Sequence, residues 1–218
     1  AVTIVDAGAP AWFGRLAAEL AAMGRSLADV RSVVLTHGHS DHIGFAERIR
    51  SERGIAVRVH ELDAALARGE VPNPAKGTGP IRPMPLLSFL LWSTRHGLLR
   101  IPPIREVATF GDGATLDVPG TPRVIHVPGH TPGSAALHFA GHDALMVGDA
   151  LATYAVTTGA KGPRIAPFTA DPAQAVTSLA RLESVDAGLL LPGHGQPWTE
   201  GVGEAVRLIR MQAAQPPG

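Results

Sequence analysis

The tightest constraint on this chain is a set of short apolar runs, each ending abruptly in a polar loop that contains glycine. Ser32-Val-Val-Leu-Thr36 is the clearest. Its β-branched and apolar residues suit a strand buried on both faces, and it ends directly at His37-Gly-His-Ser-Asp-His42. Val2 to Val5 ends the same way at Asp6-Ala-Gly, and Gly188–Leu191 ends at Pro-Gly-His-Gly. Strands of this kind need cover on both sides, so the chain must fold in layers.

Helical spacing supplies the cover. Apolar positions in Trp12 to Met23 recur at helical intervals before Gly24, and Ser26 can cap a short turn through Asp29. A helix is expected from His42 to Arg53, ended by Gly54, then a strand Ile55 to His60 and a helix Glu61 to Arg68. Val71 to Pro85 is rich in Pro and Gly and reads as irregular, with a helix over Leu86 to Leu99 after it. Strands follow at Glu106–Phe110, Arg123–Pro128, Ser134–Ala140 and Asp143–Val147. A polar stretch spans Tyr154 to Thr169, a helix capped by Asp171 with Pro172 at its first position reaches Glu183, and a last helix covers Gly201 to Met211. The expected organisation is one domain over 1–218, with an insertion at about 71–103. The chain opens inside a strand, so its natural N-terminus is expected to be missing.

Composition narrows the chemistry. Nineteen Lys and Arg balance nineteen Asp and Glu, so no basic excess points to nucleic acid and no polybasic run points to an anionic membrane. The longest apolar stretch, around Leu86 to Trp92, is too short to span a bilayer. There is no cysteine, so any metal must be held by imidazole and carboxylate. A cytoplasmic location is expected, with export left open because the chain starts in mid-strand.

Ten histidines make such a site affordable, and their spacing selects it. His37 and His39, two apart in an extended loop, can aim at one point. Asp41 and His42, at the start of a helix, can face a second point nearby. His130 in Pro128-Gly-His-Thr-Pro-Gly133, Asp149 in Val147-Gly-Asp149 and His194 in Leu191-Pro-Gly-His-Gly195 each stand just past a strand end, where a rigid sheet can deliver side chains from distant sequence. His60, His96, His126, His138 and His142 fit no such pattern and are read as structural or surface residues.

The segments HGHSDH, PGHTPG, GDA and PGHG, with Asp6 in IVDAG, resemble the five motifs of the metallo-β-lactamase superfamily, in order and over nearly the whole chain. The resemblance implies an α+β fold, the αββα four-layer sandwich, with a dinuclear metal site. It implies that His37, His39 and His130 hold one metal, that Asp41, His42 and His194 hold the other, and that Asp149 bridges them. Asp6 is expected behind the ligands, orienting their loop. Imidazole with few carboxylates suits two Zn2+ ions, with iron or manganese as other occupants. The implied activity is hydrolysis of a small-molecule carboxylic ester, lactone or thioester by a metal-bridging hydroxide, with Asp41 and Asp149 as the carboxylates of the catalytic centre.

Within the family, β-lactam cleavage is the nearest enzyme alternative, although dedicated β-lactamases usually lack the bridging carboxylate. A glyoxalase II-like thioesterase, a mononuclear iron sulfur dioxygenase and a metal-binding protein without turnover are further alternatives. Tyr154, five positions after Asp149, does not match the lactonase spacing and is read as a packed loop aromatic, with substrate contact as the alternative. Leu86, Leu87, Phe89, Leu90, Leu91 and Trp92 are too apolar to stay exposed. They are expected to pack on a core, to form a homodimer through the 86–99 helix, or to make a wall over the metals in which Trp92 touches substrate.

Overall fold

The computed structural model describes residues 1–75 and 79–214. Positions 76–78 of the irregular stretch lie outside the described residues. Ten strands are described: β1 (Val2–Val5), β2 (Val30–Val34), β3 (Ala56–His60), β4 (Ala108–Phe110), β5 (Arg123–His126), β6 (Ala135–Phe139), β7 (Ala144–Gly148), β8 (Ala152–Tyr154), β9 (Lys161–Arg164) and β10 (Leu189–Pro192). The α-helices are α1 (Phe13–Ala22), α2 (Ser40–Ile43), α3 (Ala46–Arg53), α4 (Ala64–Ala67), α5 (Pro83–Arg95), α6 (Pro172–Ser178) and α7 (Val202–Ala213).

One sheet has the order β1-β2-β3-β4 and is parallel throughout. A second has the order β10-β7-β6-β5, parallel at β10/β7 and antiparallel elsewhere. Three apolar clusters lie between successive layers. Val33, Leu35, Val57 and Val59 pack with Leu20 of α1 and Ile49 of α3. Val34, Phe110, Leu137 and Phe139 fill the space between the sheets. Leu145, Val147 and Leu190 pack with Leu179, Val206 and Ile209 on the far side. Helix, sheet, sheet, helix is the αββα sandwich that the family resemblance implied.

The differences from the sequence reading have local causes. The helix expected over His42–Arg53 is two helices, because the chain at Gly44 bonds elsewhere. Ala7 N–H donates to His42 O (2.6 Å), Gly44 N–H to Gly8 O (2.9 Å) and Phe45 N–H to Ala7 O (3.2 Å), which seats the first turn against the loop after β1. Helix α5 starts at Pro83, where a missing N–H costs nothing, and ends at Arg95 rather than Leu99. The polar stretch Tyr154–Thr169 contains a hairpin, β8 against β9. The expected helix Glu61–Arg68 opens as a 3-10 turn over Glu61–Asp63.

Candidate metal centre

Loops from both sheets meet at one edge of the sandwich. The ligand atoms of His37, His39 and His130 lie within 4.8 Å of one another, as do those of His37, His42 and Asp149, and those of Asp41, His42 and His194. The structure therefore brings together all seven residues expected as ligands. The five histidines outside the motifs join none of these groups among the described residues; His60 and His126 stack on each other instead, 4.3 Å between rings.

Hydrogen bonds on the outer ring nitrogens fix which nitrogen faces inward. Thr36 Oγ1 donates to Asp6 Oδ2 (2.8 Å), so it accepts from His37 Nδ1 (3.1 Å) and leaves His37 Nε2 with its lone pair. Thr169 Oγ1 donates to Ala166 O (2.7 Å) and so accepts from His130 Nδ1 (3.0 Å). Asp6 Oδ2 accepts from His42 Nδ1 (2.7 Å), and Asn73 Oδ1 accepts from His39 Nε2 (3.1 Å). His39 thus turns Nδ1 inward, 2.9 Å from His130 Nε2. Asp6 holds its loop as well, accepting from Thr36 N–H at 2.7 Å, and it does so with φ of 58°, a conformation aspartate tolerates better than most residues.

Three of the inward atoms lack any partner in the protein. His37 Nε2, His42 Nε2 and Asp149 Oδ1 are buried with no hydrogen bond. Each such orphan costs about 1–3 kcal/mol, so three facing common points call for a cation. Asp149 stands between the groups. Its Oδ1 is 3.6 Å from His42 Nε2, and its Oδ2 is 3.5 Å from His130 Nε2 and 3.4 Å from His194 Nε2. Asp41 Oδ2 lies 3.1 Å from His194 Nε2. The donor set of imidazoles and carboxylates fits a pair of divalent ions.

Electrostatics divide the cluster. Burial pushes the imidazoles of His37, His39 and His130 down, the last to about 3, so they stay neutral. Burial also opposes a charge on His42, but Asp6, Asp149 and Asp41 outweigh it and raise that ring to about 10. His194 is raised chiefly by Asp149. Burial alone would raise both carboxyls; His42 and His194 instead hold Asp41 below its ordinary range, and His194, His42 and His130 do the same for Asp149.

One supporting residue was missed in the sequence. Asp63 is fully buried, and its carboxylate accepts from Gly38 N–H (2.8 Å), Thr131 Oγ1 (2.7 Å) and Gly133 N–H (2.7 Å). It ties the His37–His39 loop to the His130 loop. A Cβ on Gly133 would come within 2.6 Å of the Asp63 backbone, so the final glycine of PGHTPG is required by this close approach. Gly193 is required similarly, since a Cβ there would lie 2.3 Å from Asp149 Oδ1. Asp63 closes the 3-10 turn after β3, three residues past the strand end and with no glycine beside it, so the strand-end rule that selected Asp149 did not reach it. Asn73 had no comparable signal, because it approaches His39 from an irregular segment.

A cavity of about 810 Å3 opens over Asp41, His42 and His194. Pro85, Phe89 and Trp92 of α5 form one wall, and Tyr154 of β8 lines it too. Trp92 is anchored edge-on to Trp12 (5.8 Å between rings) and stacked on His96 (4.5 Å), while Phe89 meets Phe168 at 6.0 Å. Tyr154 is therefore half-buried beside the cluster rather than packed away from it.

Residues 1–194 match the profile of the metallo-beta-lactamase superfamily. A probable metallo-hydrolase of Bacillus subtilis, YflN, is 29% identical over 211 residues, covering 90% of this chain and 76% of that protein. The acyl-coenzyme A thioesterase MBLAC2 of Gallus gallus is 30% identical over 173 residues, covering 74% of this chain and 55% of that protein. Among solved structures, the di-iron-bound form of TTHA1623 superposes with a TM-score of 0.64 at 26% identity, covering 95% of this chain and 87% of that one. The metallo-beta-lactamase family protein TTHA1429 of Thermus thermophilus does so with a TM-score of 0.67 at 25% identity, covering 96% and 70%. The chain belongs to the metallo-beta-lactamase superfamily, and its kinship makes it a metal-binding hydrolase of that superfamily.

Proposed function

We propose that this protein is a dinuclear zinc hydrolase that cleaves a carboxylic ester, lactone or thioester carrying an apolar group. The observation that carries the reading is the convergence of inward-facing imidazole and carboxylate atoms, three of them without a hydrogen-bond partner, at the foot of a cavity with an apolar wall. His37 Nε2, His39 Nδ1 and His130 Nε2 would hold one ion; Asp41, His42 and His194 the other; Asp149 would reach both. When bound, the ions supply Lewis acidity and water activated near neutral pH.

The chain's own groups do the rest. Thr36, Asn73 and Thr169 hold three rings in the tautomer that presents a lone pair, and Asp6 anchors His42 Nδ1 so that its Nε2 would face the ion once that ring gives up its second proton. Asp41 and Asp149, as the carboxylates of the centre, offset part of the cationic charge and leave a positive remainder suited to a developing oxyanion. Phe89 and Trp92 exclude water and favour an apolar acyl or aryl group, and Tyr154 lies where it can touch the substrate. The likeness to the Gallus gallus acyl-coenzyme A thioesterase supports a thioester among these substrates.

The test is a panel of esters, lactones, acyl thioesters and β-lactams of graded chain length, assayed on zinc-loaded protein with and without chelator. Chelator-sensitive turnover that improves with apolar chain length is expected. Turnover confined to β-lactams, or none on any substrate by fully loaded protein, contradicts the assignment.

A further inference from the structure

Helix α5 is apolar on both of its faces. Pro85, Phe89 and Trp92 face the cavity. On the other side Met84, Leu87, Leu90 and Leu91 share one face at helical spacing and are 75%, 51%, 49% and 49% exposed. Ile81 before the helix and Leu99 after it, 56% and 73% exposed, extend the patch. The sequence suggested that these residues would be covered; among the described residues they are not. An exposed apolar patch of this kind marks an interaction surface.

The charges around it indicate what covers it. Positions 71–105 contain one Lys, four Arg and neither Asp nor Glu, in a chain whose total is balanced. The cations are spread along the segment, which is why no polybasic run is visible. Arg82 stands before the first turn of α5, Arg95 in its last turn and Arg100 in the segment beyond; all three are exposed. None of the three forms an ion pair among the described residues, although other arginines do. A second copy docking by the same face would bring together two copies of a segment that carries cations and no acid, as a two-fold interface requires. An anionic lipid surface accepts the apolar side chains and the arginines at once. No described helix is long and apolar enough to cross a membrane, so α5 would lie on the surface.

We propose that the outer face of α5 docks the protein on an anionic lipid surface, holding the cavity wall formed by the same helix against the lipid. The inference concerns binding and does not depend on the substrate reading.

The test is flotation of the metal-loaded full chain with vesicles of phosphatidylcholine alone and of phosphatidylcholine mixed with phosphatidylglycerol. Binding to the mixed vesicles only, weakening as salt rises, is expected. The pairs Leu87→Gln with Leu91→Gln and Arg95→Glu with Arg100→Glu should each reduce that binding at least tenfold while the melting temperature holds, because all four side chains are exposed. Equal binding to both vesicle types, no binding to either, or binding that both folded variants retain overturns the proposal. So does a dimer, seen by light scattering, that Leu87→Gln with Leu91→Gln breaks while vesicles are ignored. The wild-type comparison of the two vesicle types decides the matter without any variant.

Discussion

The cluster at the strand ends and helix α5 are built on opposite principles. Around the cluster, the outer atoms of the buried polar side chains are held: Asp63 accepts three hydrogen bonds, Asp6 accepts from Thr36 and His42, and four of the five rings have one nitrogen pinned. What is left over faces inward. Helix α5 is attached through a few aromatic contacts and one backbone bond at each end (Arg82 N–H to Thr157 O, Ala11 N–H to His96 O), buries only Ser93 fully and leaves its apolar outer face uncovered. Rigidity is thus concentrated where geometry must be kept within fractions of an ångström, and the lightly held element stands where substrates and surfaces arrive.

Perturbing each side should give effects of different kinds. The largest is expected for His39→Ala, which removes one member of a buried trio. Tight metal binding and hydrolysis should both fall to background while circular dichroism stays native; retained metal stoichiometry would break the contrast. Asp63→Asn keeps the shape but turns an amide N–H2 toward a donor. Metal affinity should drop about 10–100-fold, and the metal-free protein should lose about 1–3 kcal/mol in denaturant titration. Trp92→Ala acts on the other region. It should raise KM roughly tenfold for substrates with long apolar groups, leave short ones nearly unaffected, and spare metal content.

A subtler contrast lies inside the cluster. His42 is raised to about 10 from 6.5, so its contribution to the metal-free fold is complete below pH 6.5 and lost as pH rises through 10. His130 is lowered to about 3, with His37 and His39 also lowered, so unfolding takes up protons as pH falls below 6.5 and stability declines there as well. Chelator-stripped protein should therefore melt highest near pH 6.5 and lower on both sides, followed by calorimetry across pH 4 to 10 (roughly the span of these shifts). A melting temperature rising steadily from pH 6.5 to 10 would contradict the placement of His42 among three carboxylates. The smallest effect belongs to Leu90→Ser, which should change stability by less than about 0.5 kcal/mol because the side chain is half exposed already.

The site was more legible in the sequence than the surfaces around it, and the reason is range. The seven residues of the cluster are announced by strand ends a few residues away, and strands β2, β7 and β10 announce themselves by composition. Asp63, three residues past the end of β3, was hidden by a helical pattern over Glu61–Arg68. The break at Gly44 arises from backbone bonds to Ala7 and Gly8, more than thirty positions earlier, which no local pattern reveals. Leu87, Leu90 and Leu91 were expected to need cover, and only the assembled layers show that this chain's own described residues do not supply it.

The central claim is that the inward-facing atoms of the cluster exist to hold two cations that drive hydrolysis. Elemental analysis of the folded, metal-loaded protein, paired with turnover before and after chelation, tests it most directly. Two ions per chain are expected, with hydrolysis lost on chelation and regained on adding zinc. Natively folded protein that retains no metal after loading, or hydrolysis that survives complete removal of metal, would contradict it.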